Sequence, residues 1–266
     1  MNRRRFLGNG IAASAAAWID PEIGSSELPG TQKPDRPKRV IKLDAKPTRV
    51  ELDLAQTAVV VVDMQNDFCS KGGDLDREGV DLSIIQRVIP TTRVALATAR
   101  KAGLKIIYTK MGFQPDLSDV GVRGSRNWLN NRDVGAPVKS PDGTTSRVLI
   151  RDTWNTEIIP ELKPEPGDTV IYKNRFSAFY QTELNAILKR WRTRFLIVVG
   201  CTTSVCVEST IRDAAFRDYS VVLLADCTAE PEGYGLPRNN YEASLSLIES
   251  LFGWTSTSEQ FVQAVA

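Results

Sequence analysis

The sequence predicts an α/β protein of three layers, a mostly parallel β-sheet between two layers of helices, and two observations carry that expectation. β-branched apolar runs recur along the chain, and helix-like stretches separate each from the next. The first run, residues 57–62 (TAVVVV), has no polar alternation, the pattern of a strand buried on both faces. Residues 105–109 (KIIYT), 169–172 (TVIY), 195–199 (FLIVV) and 221–225 (VVLLA) repeat it. Pro90 and Gly103 bracket the first helix, Thr182 opens another over ELNAILKRW, and a third is expected over residues 205–217. In such a fold, ligands bind beyond the carboxyl ends of the strands. Residues 111–153 have no clear period and read as an excursion near that edge, long enough to serve as a lid.

Of the 266 residues, 42% are hydrophobic and 25% charged, the make-up of a globular protein with a full core. The net charge is +2, with Lys and Arg interleaved among Asp and Glu, so no nucleic-acid partner is expected. Histidine is absent altogether, which removes Ser-His and Cys-His pairs and every His-based zinc site. Proton transfer is left to carboxylates, Lys, Tyr and Cys. The four cysteines, Cys69, Cys201, Cys206 and Cys227, lack the spacing of a metal site or a redox pair, and at least two are expected to be free thiols. Neither a metal nor a cofactor is expected.

The opening MNRRRFLGNGIAASAAAW places Arg3, Arg4, Phe6 and Leu7 in a twin-arginine pattern ahead of an Ala-rich run too short to span a bilayer. Residues 1–19 are expected to be an export signal that sends a folded protein to the periplasm or beyond, with no membrane partner in the mature form. Residues 20–47, rich in Pro, Gly and charge, read as an extended linker or arm, and residues 48–266 as the folded domain.

Three polar side chains close three of the expected strands: Asp63 after VVVV, Lys173 after TVIY, and Cys206 in the GCTTSVC that follows FLIVV. Singly, each has a plain structural reading, as a turn carboxylate, a solvated strand end and a small buried hydrophobe. Together they are aimed by the fold at one crevice. Cys206 begins a helix, so amide N–H groups and a nearby ammonium favour its thiolate, and a fall of about two pKa units is worth about 2.7 kcal/mol. Asp63 is then expected to take the thiol proton, deliver it to a leaving nitrogen and later activate water. Gln65 and Asn66 have two readings, substrate hydrogen bonding or fixing of the turn. Phe68 and Phe179 are expected to wall the pocket, whereas Trp128 and Phe176 fit the core as well. Arg212 and Asp213 read as ion-pair members, and Cys227 as packing.

DMQNDF (residues 63–68), the lysine closing the third strand, and GCTTSVCVEST (residues 200–210) resemble the cysteine hydrolases of the isochorismatase-like superfamily over roughly residues 55–255. The resemblance implies a Rossmann-like three-layer fold and a catalytic triad of Asp63, Lys173 and Cys206. It implies a cis peptide between Cys201 and Thr202, and an oxyanion hole formed by the amides of Thr202 and Cys206. Two departures narrow it. Nicotinamidases of the family hold a metal through Asp and His, and no histidine is present; isochorismatases lack a nucleophilic cysteine here, so Cys206 points to C–N cleavage. KNRFSAFYQTEL (173–184), CVESTIRD (206–213) and LFGWTS (251–256) look most similar to ureidoacrylate amidohydrolases, with biuret and N-carbamoylsarcosine hydrolases as near relations. The expectation is a homo-oligomeric enzyme acting on a small N-carbamoyl or amide compound through an acyl-thioester.

Two readings from other classes remain. A non-catalytic binding protein on this fold has no reason to hold Asp63, Lys173 and Cys206 together. A thiol redox protein needs a resolving cysteine, and Cys201 is the only one close to Cys206 in sequence.

Overall fold

The run TAVVVV is buried at every position, and its place in the sheet is the reason. In the computed structural model, which describes residues 37–231 and 239–266, two strands near the start form an antiparallel hairpin, β1 (Val40–Leu43) with β2 (Val50–Asp53). The main sheet has six parallel strands: β3 (Thr57–Val62), β4 (Lys105–Met111), β7 (Thr169–Lys173), β8 (Phe195–Cys201), β9 (Ser220–Ala229) and β10 (Trp254–Ser256). Their order is β10-β9-β8-β3-β4-β7. A second hairpin pairs β5 (Pro137–Lys139) with β6 (Thr145–Arg147).

Because β3 is central, Val59 and Val61 enter the core on one face while Ala58, Val60 and Val62 enter the core on the other. A strand covered on both faces has no solvent side for polar residues to occupy, hence the unbroken apolar run. Each fully buried Val there contributes roughly 1.5–3 kcal/mol. The first core is covered by α4 (Ile89–Lys101) and α9 (Ser258–Val265), the second by α6 (Leu184–Arg190) and α7 (Glu208–Ala215). Short helices α1 (Asn66–Cys69), α2 (Asp74–Arg77) and α3 (Ser83–Gln86) follow β3, α5 (Arg126–Asn130) lies in the excursion, and α8 (Asn240–Leu247) precedes β10. Pro90 stands in the first turn of α4 and Gly103, with φ +75°, just beyond its end, as the bracketing residues predict.

The chain runs outward from β3 through β4 to β7, then returns to β8 on the other side of β3 and runs outward to β10. The switch falls between β3 and β8, so the crevice beyond their carboxyl ends is the expected binding position. Gly200, opposite Val62 across that switch, has φ +120°, and a Cβ there would stand 2.1 Å from the Val62 carbonyl oxygen. Gly200→Ala is therefore expected to cost about 2 kcal/mol or more and lower the melting temperature by roughly 4–8 °C. An unchanged melting curve would contradict this packing.

The arm expected over residues 20–47 does not stay outside the fold. Val40 to Leu43 pairs with Asp53 to Val50, and Ile41, Leu43, Val50 and Leu52 all join the first core. With two inward positions per strand, the alternation is too short to stand out from its Pro- and Lys-rich surroundings. Residues 1–36, on which the expected export signal falls, lie outside the described residues. The excursion carries α5 and the β5–β6 hairpin and closes a small core of its own around Phe113, Val134, Val138, Val148 and Ile150. Among the described residues no helix is long and apolar enough to cross a membrane. All four cysteines are free thiols.

Candidate active site

β3 delivers Asp63 to the crevice. The residue has φ +52°, a left-handed conformation that Asp tolerates better than most side chains, and it is fully buried. Its N–H donates to the Thr109 carbonyl (3.2 Å), and its Oδ1 accepts from the Thr109 hydroxyl (2.7 Å). Oδ2 accepts no directed hydrogen bond and lies 2.6 Å from Lys173 Nζ in an ion pair.

Lys173 ends β7, two strands from β3, a separation of about 10 Å at about 4.8 Å per strand. Only a long side chain crosses β4 to reach Asp63. Lys173 is 1% exposed, and its Nζ donates to the Arg175 carbonyl (3.1 Å) and to Cys206 Sγ (3.3 Å), with Met111 Sδ at 3.5 Å. Burial works to lower the pKa of this ammonium, but Asp63 and Cys206 outweigh it and hold it above the ordinary lysine value.

Cys206 comes from the turn after β8. The Cys201–Thr202 peptide is cis, and the chain then winds through one π-helical turn, Thr203–Val207, into α7. The N–H groups of Val205 and Val207, on either side of Cys206, both return to the Thr202 carbonyl at 3.2 Å. The Thr210 hydroxyl donates to the Cys206 carbonyl (2.7 Å) and accepts from the Ala178 N–H (3.0 Å). On the β9 side, the hydroxyls of Thr203 and Thr228 share a hydrogen bond (2.8 Å), and the Ser204 N–H donates to Glu230 Oε2 (2.6 Å).

The charge state of the sulfur reverses an expectation. Burial pushes the Cys206 thiol up to about 12; Lys173 pulls it down without offsetting burial, and the nearby Asp63 carboxylate adds to the rise. The resting sulfur keeps its proton. Helix N-terminus and ammonium do favour thiolate, but removing a charged sulfur from water costs more, and the Lys173 charge is already engaged with Asp63.

The other site candidates have these partners within the fold. Gln65 is fully buried, donates to the Met111 carbonyl (2.9 Å) and accepts from the Met111 N–H (2.7 Å). Asn66 donates to the Trp154 carbonyl (2.8 Å) and accepts from the Ser70 hydroxyl (2.7 Å). Both side chains fix the turn, the second of their two readings, because their amide groups face backbone and hydroxyl partners inside the fold. Phe179 is a core residue in the cluster that holds Cys206, stacked on Tyr219 with ring centroids 5.9 Å apart. Phe68 is half-buried between the first core and the core of the excursion, where Trp128 also packs, and Phe176 is exposed. Cys201 turns its thiol to the Asp63 carbonyl (3.3 Å) and to Cys69, which is no arrangement for resolving Cys206. Arg212 pairs with Glu208 and Asp213 with Arg217.

Thr109, Thr210 and Asp67 are the functional residues that sequence reasoning passed over. Thr109 and Thr210 are fully buried hydroxyls, the first within the apolar run of β4 and the second beside Ile211 on the buried side of α7, and a Thr among apolar positions is the available signal. Asp67, also fully buried, accepts from the Leu149 N–H (2.7 Å), the Asp74 N–H (3.1 Å) and the Asn155 amide, tying the Asp63 turn to the excursion. Burial pushes its carboxyl up to about 7, with the Asn155 and Leu149 hydrogen bonds pulling the other way. Among the described residues no group of three or more Cys, Asp and Glu is arranged to hold a metal ion.

The family model of the isochorismatase domain matches residues 57–260. The ureidoacrylate amidohydrolase of Caulobacter segnis is 38% identical over 221 residues, 83% of this chain and 90% of that protein. The ureidoacrylate amidohydrolase of Serratia proteamaculans is 35% identical, over 85% of this chain and 89% of its own length. Among solved structures, a cysteine hydrolase from Pseudomonas syringae pv. phaseolicola superposes with a TM-score of 0.69 at 27% identity, covering 86% of this chain and 98% of that one. The N-carbamoylsarcosine amidase of Thermoplasma acidophilum, at 23% identity and a TM-score of 0.56 over 77% of this chain and 97% of its own, shares the fold.

Proposed function

The chain belongs to the isochorismatase family, and on that premise we propose that it is a cysteine amidohydrolase cleaving a C–N bond of a small ureido compound, with ureidoacrylate the leading substrate. One observation carries the chemistry: Lys173 Nζ stands 2.6 Å from Asp63 Oδ2 and 3.3 Å from Cys206 Sγ, so one buried ammonium joins a carboxylate to a thiol.

The steps follow from that contact. As Sγ attacks the ureido carbonyl carbon, the thiol proton passes to Asp63, whose Oδ2 accepts no directed hydrogen bond at rest. The carbonyl oxygen gains negative charge and is held by the Thr202 and Cys206 amides. Asp63 returns the proton to the leaving nitrogen as the C–N bond breaks. Water, deprotonated by Asp63, then attacks the carbamoyl thioester; the thiol leaves with a proton, and the carbamate released decomposes to ammonia and carbon dioxide. Lys173, 3.3 Å from Sγ, stabilises the negative charge on sulfur as its proton leaves. The twin-arginine motif at Arg3 and Arg4 supports work outside the cytoplasm as part of the same proposal.

The test is ammonia release from a panel of ureidoacrylate, biuret, N-carbamoyl amino acids and nicotinamide. Ureidoacrylate is expected to show the highest kcat/KM, by about tenfold or more, the separation expected when a site pairs its polar groups with one substrate. Preference for nicotinamide, or no ammonia from any ureido compound, would overturn the assignment.

A further inference from the structure

We infer that Glu230 is a positioning residue for the oxyanion-binding turn, holding the Ser204 N–H so that the amides of Thr202 and Cys206 keep their aim. The inference rests on the hydrolase reading above, and it adds a residue that neither the triad nor the oxyanion hole includes.

Glu230 is 2% exposed, an unusual degree of burial for a glutamate, and stands just past the end of β9. Its Oε2 accepts from the Ser204 N–H at 2.6 Å, the short distance of a charge-assisted hydrogen bond. Ser204 lies midway between Thr202 and Cys206, the two residues whose amides would bind the oxyanion. Thr228, two positions earlier and on the same side of the strand, shares a hydrogen bond with Thr203 at 2.8 Å. The end of β9 thus grips consecutive residues of the turn from one side, while Thr210 holds the Cys206 carbonyl from the other (2.7 Å). In between, the Val205 and Val207 amides turn back onto the Thr202 carbonyl, so Ser204 is the residue of this segment whose backbone is fixed by a charged side chain. A shift of that residue would move the Thr202 and Cys206 amides together. Oxyanion-hole donors act only when correctly aimed, and losing one lowers kcat by about 10²–10³-fold. Partial misplacement through Ser204 is expected to cost about tenfold.

The bond depends on reach and acceptor geometry, which a pair of variants separates from charge. Glu230→Gln keeps the length and an acceptor oxygen; Glu230→Asp keeps the charge and withdraws the oxygen by one methylene. The readout is acylation of Cys206 by p-nitrophenyl acetate, in which a sulfur–acetyl bond forms, p-nitrophenolate leaves and the thiol proton goes to Asp63, so an oxyanion must be stabilised. Alkylation by iodoacetamide, which displaces iodide from a saturated carbon and forms no oxyanion, serves as the reference and counts folded sites. Glu230→Gln is expected to acylate within about threefold of the unmodified enzyme, and Glu230→Asp about tenfold or more slowly, with both alkylating normally. Should Glu230→Asp not fold, Glu230→Ala removes the acceptor altogether, and the same loss is expected, with iodoacetamide counting the folded sites. Equal acylation in all variants, with only the melting temperature changed, would reduce Glu230 to a structural role. A defective Gln variant beside a normal Asp variant would show that charge, and not the Ser204 bond, is what matters. Neither reagent is a ureido compound, so failure to cleave ureidoacrylate would sink the substrate assignment and leave this result readable.

Discussion

Cys206→Ala is expected to abolish ammonia release, with a loss on the order of 10⁶-fold, the scale seen when a nucleophile is deleted from a group of residues that act as a unit. Alanine lacks the atom that bonds to the substrate carbon, and Cys201, the thiol nearest in sequence, faces the Asp63 carbonyl and Cys69. The change is small in volume, and Cys206 is 6% exposed within a core that also contains Val207, Ile211 and Phe179, so the fold should persist. Substrate should still bind, which calorimetry on the variant would record. Turnover within about 100-fold of the unmodified enzyme would mean that water or another group attacks the carbonyl.

Asp63→Asn is expected to lower kcat by about 10²–10⁴-fold with KM little changed, because Asn matches the shape of Asp but cannot carry a proton from sulfur to nitrogen. The change also leaves Lys173, at 1% exposure, without its anion. Breaking a buried pair from one side costs about 3–5 kcal/mol while the survivor stays charged. The two effects separate in the double variant Asp63→Asn with Lys173→Met, which removes the stranded charge: the unfolding midpoint should recover, and kcat should not. A single variant with near-normal kcat would remove Asp63 from the proton path.

The middle of the sheet was legible in the sequence because its strands are buried on both faces. TAVVVV, FLIVV and VVLLA have no polar alternation and are bounded by helices with clear starts, so element type followed from composition. β10 escaped notice: three residues, Trp254–Ser256, are too few to show a period and are held by the neighbouring Val222, Leu223 and Leu224 of β9. The β1–β2 hairpin escaped for a similar reason. At the site, Asp63, Lys173 and Cys206 could be read from their position after strands, since topology alone sends strand ends to one edge. Gln65 and Asn66 could not be assigned that way, because a side-chain amide after a strand serves a ligand and a backbone equally well, and only the positions of Met111 and Trp154 decide between them. The charge state of Cys206 was also beyond the sequence. Local features argue for thiolate, but the depth of burial that overrides them is a property of the whole fold.

The most direct test of a neutral thiol poised between an acceptor carboxylate and an ammonium is the rate of Cys206 alkylation by iodoacetamide across roughly pH 6 to 10, since only the thiolate reacts. With the thiol pushed up to about 12, the rate in the unmodified enzyme should climb about tenfold per pH unit without a plateau over that range. Asp63 raises that pKa and Lys173 lowers it, so Asp63→Asn should alkylate faster at a given pH and Lys173→Met more slowly, although both turn over poorly. A plateau below about pH 8, or two variants that shift in the same direction, would contradict the account.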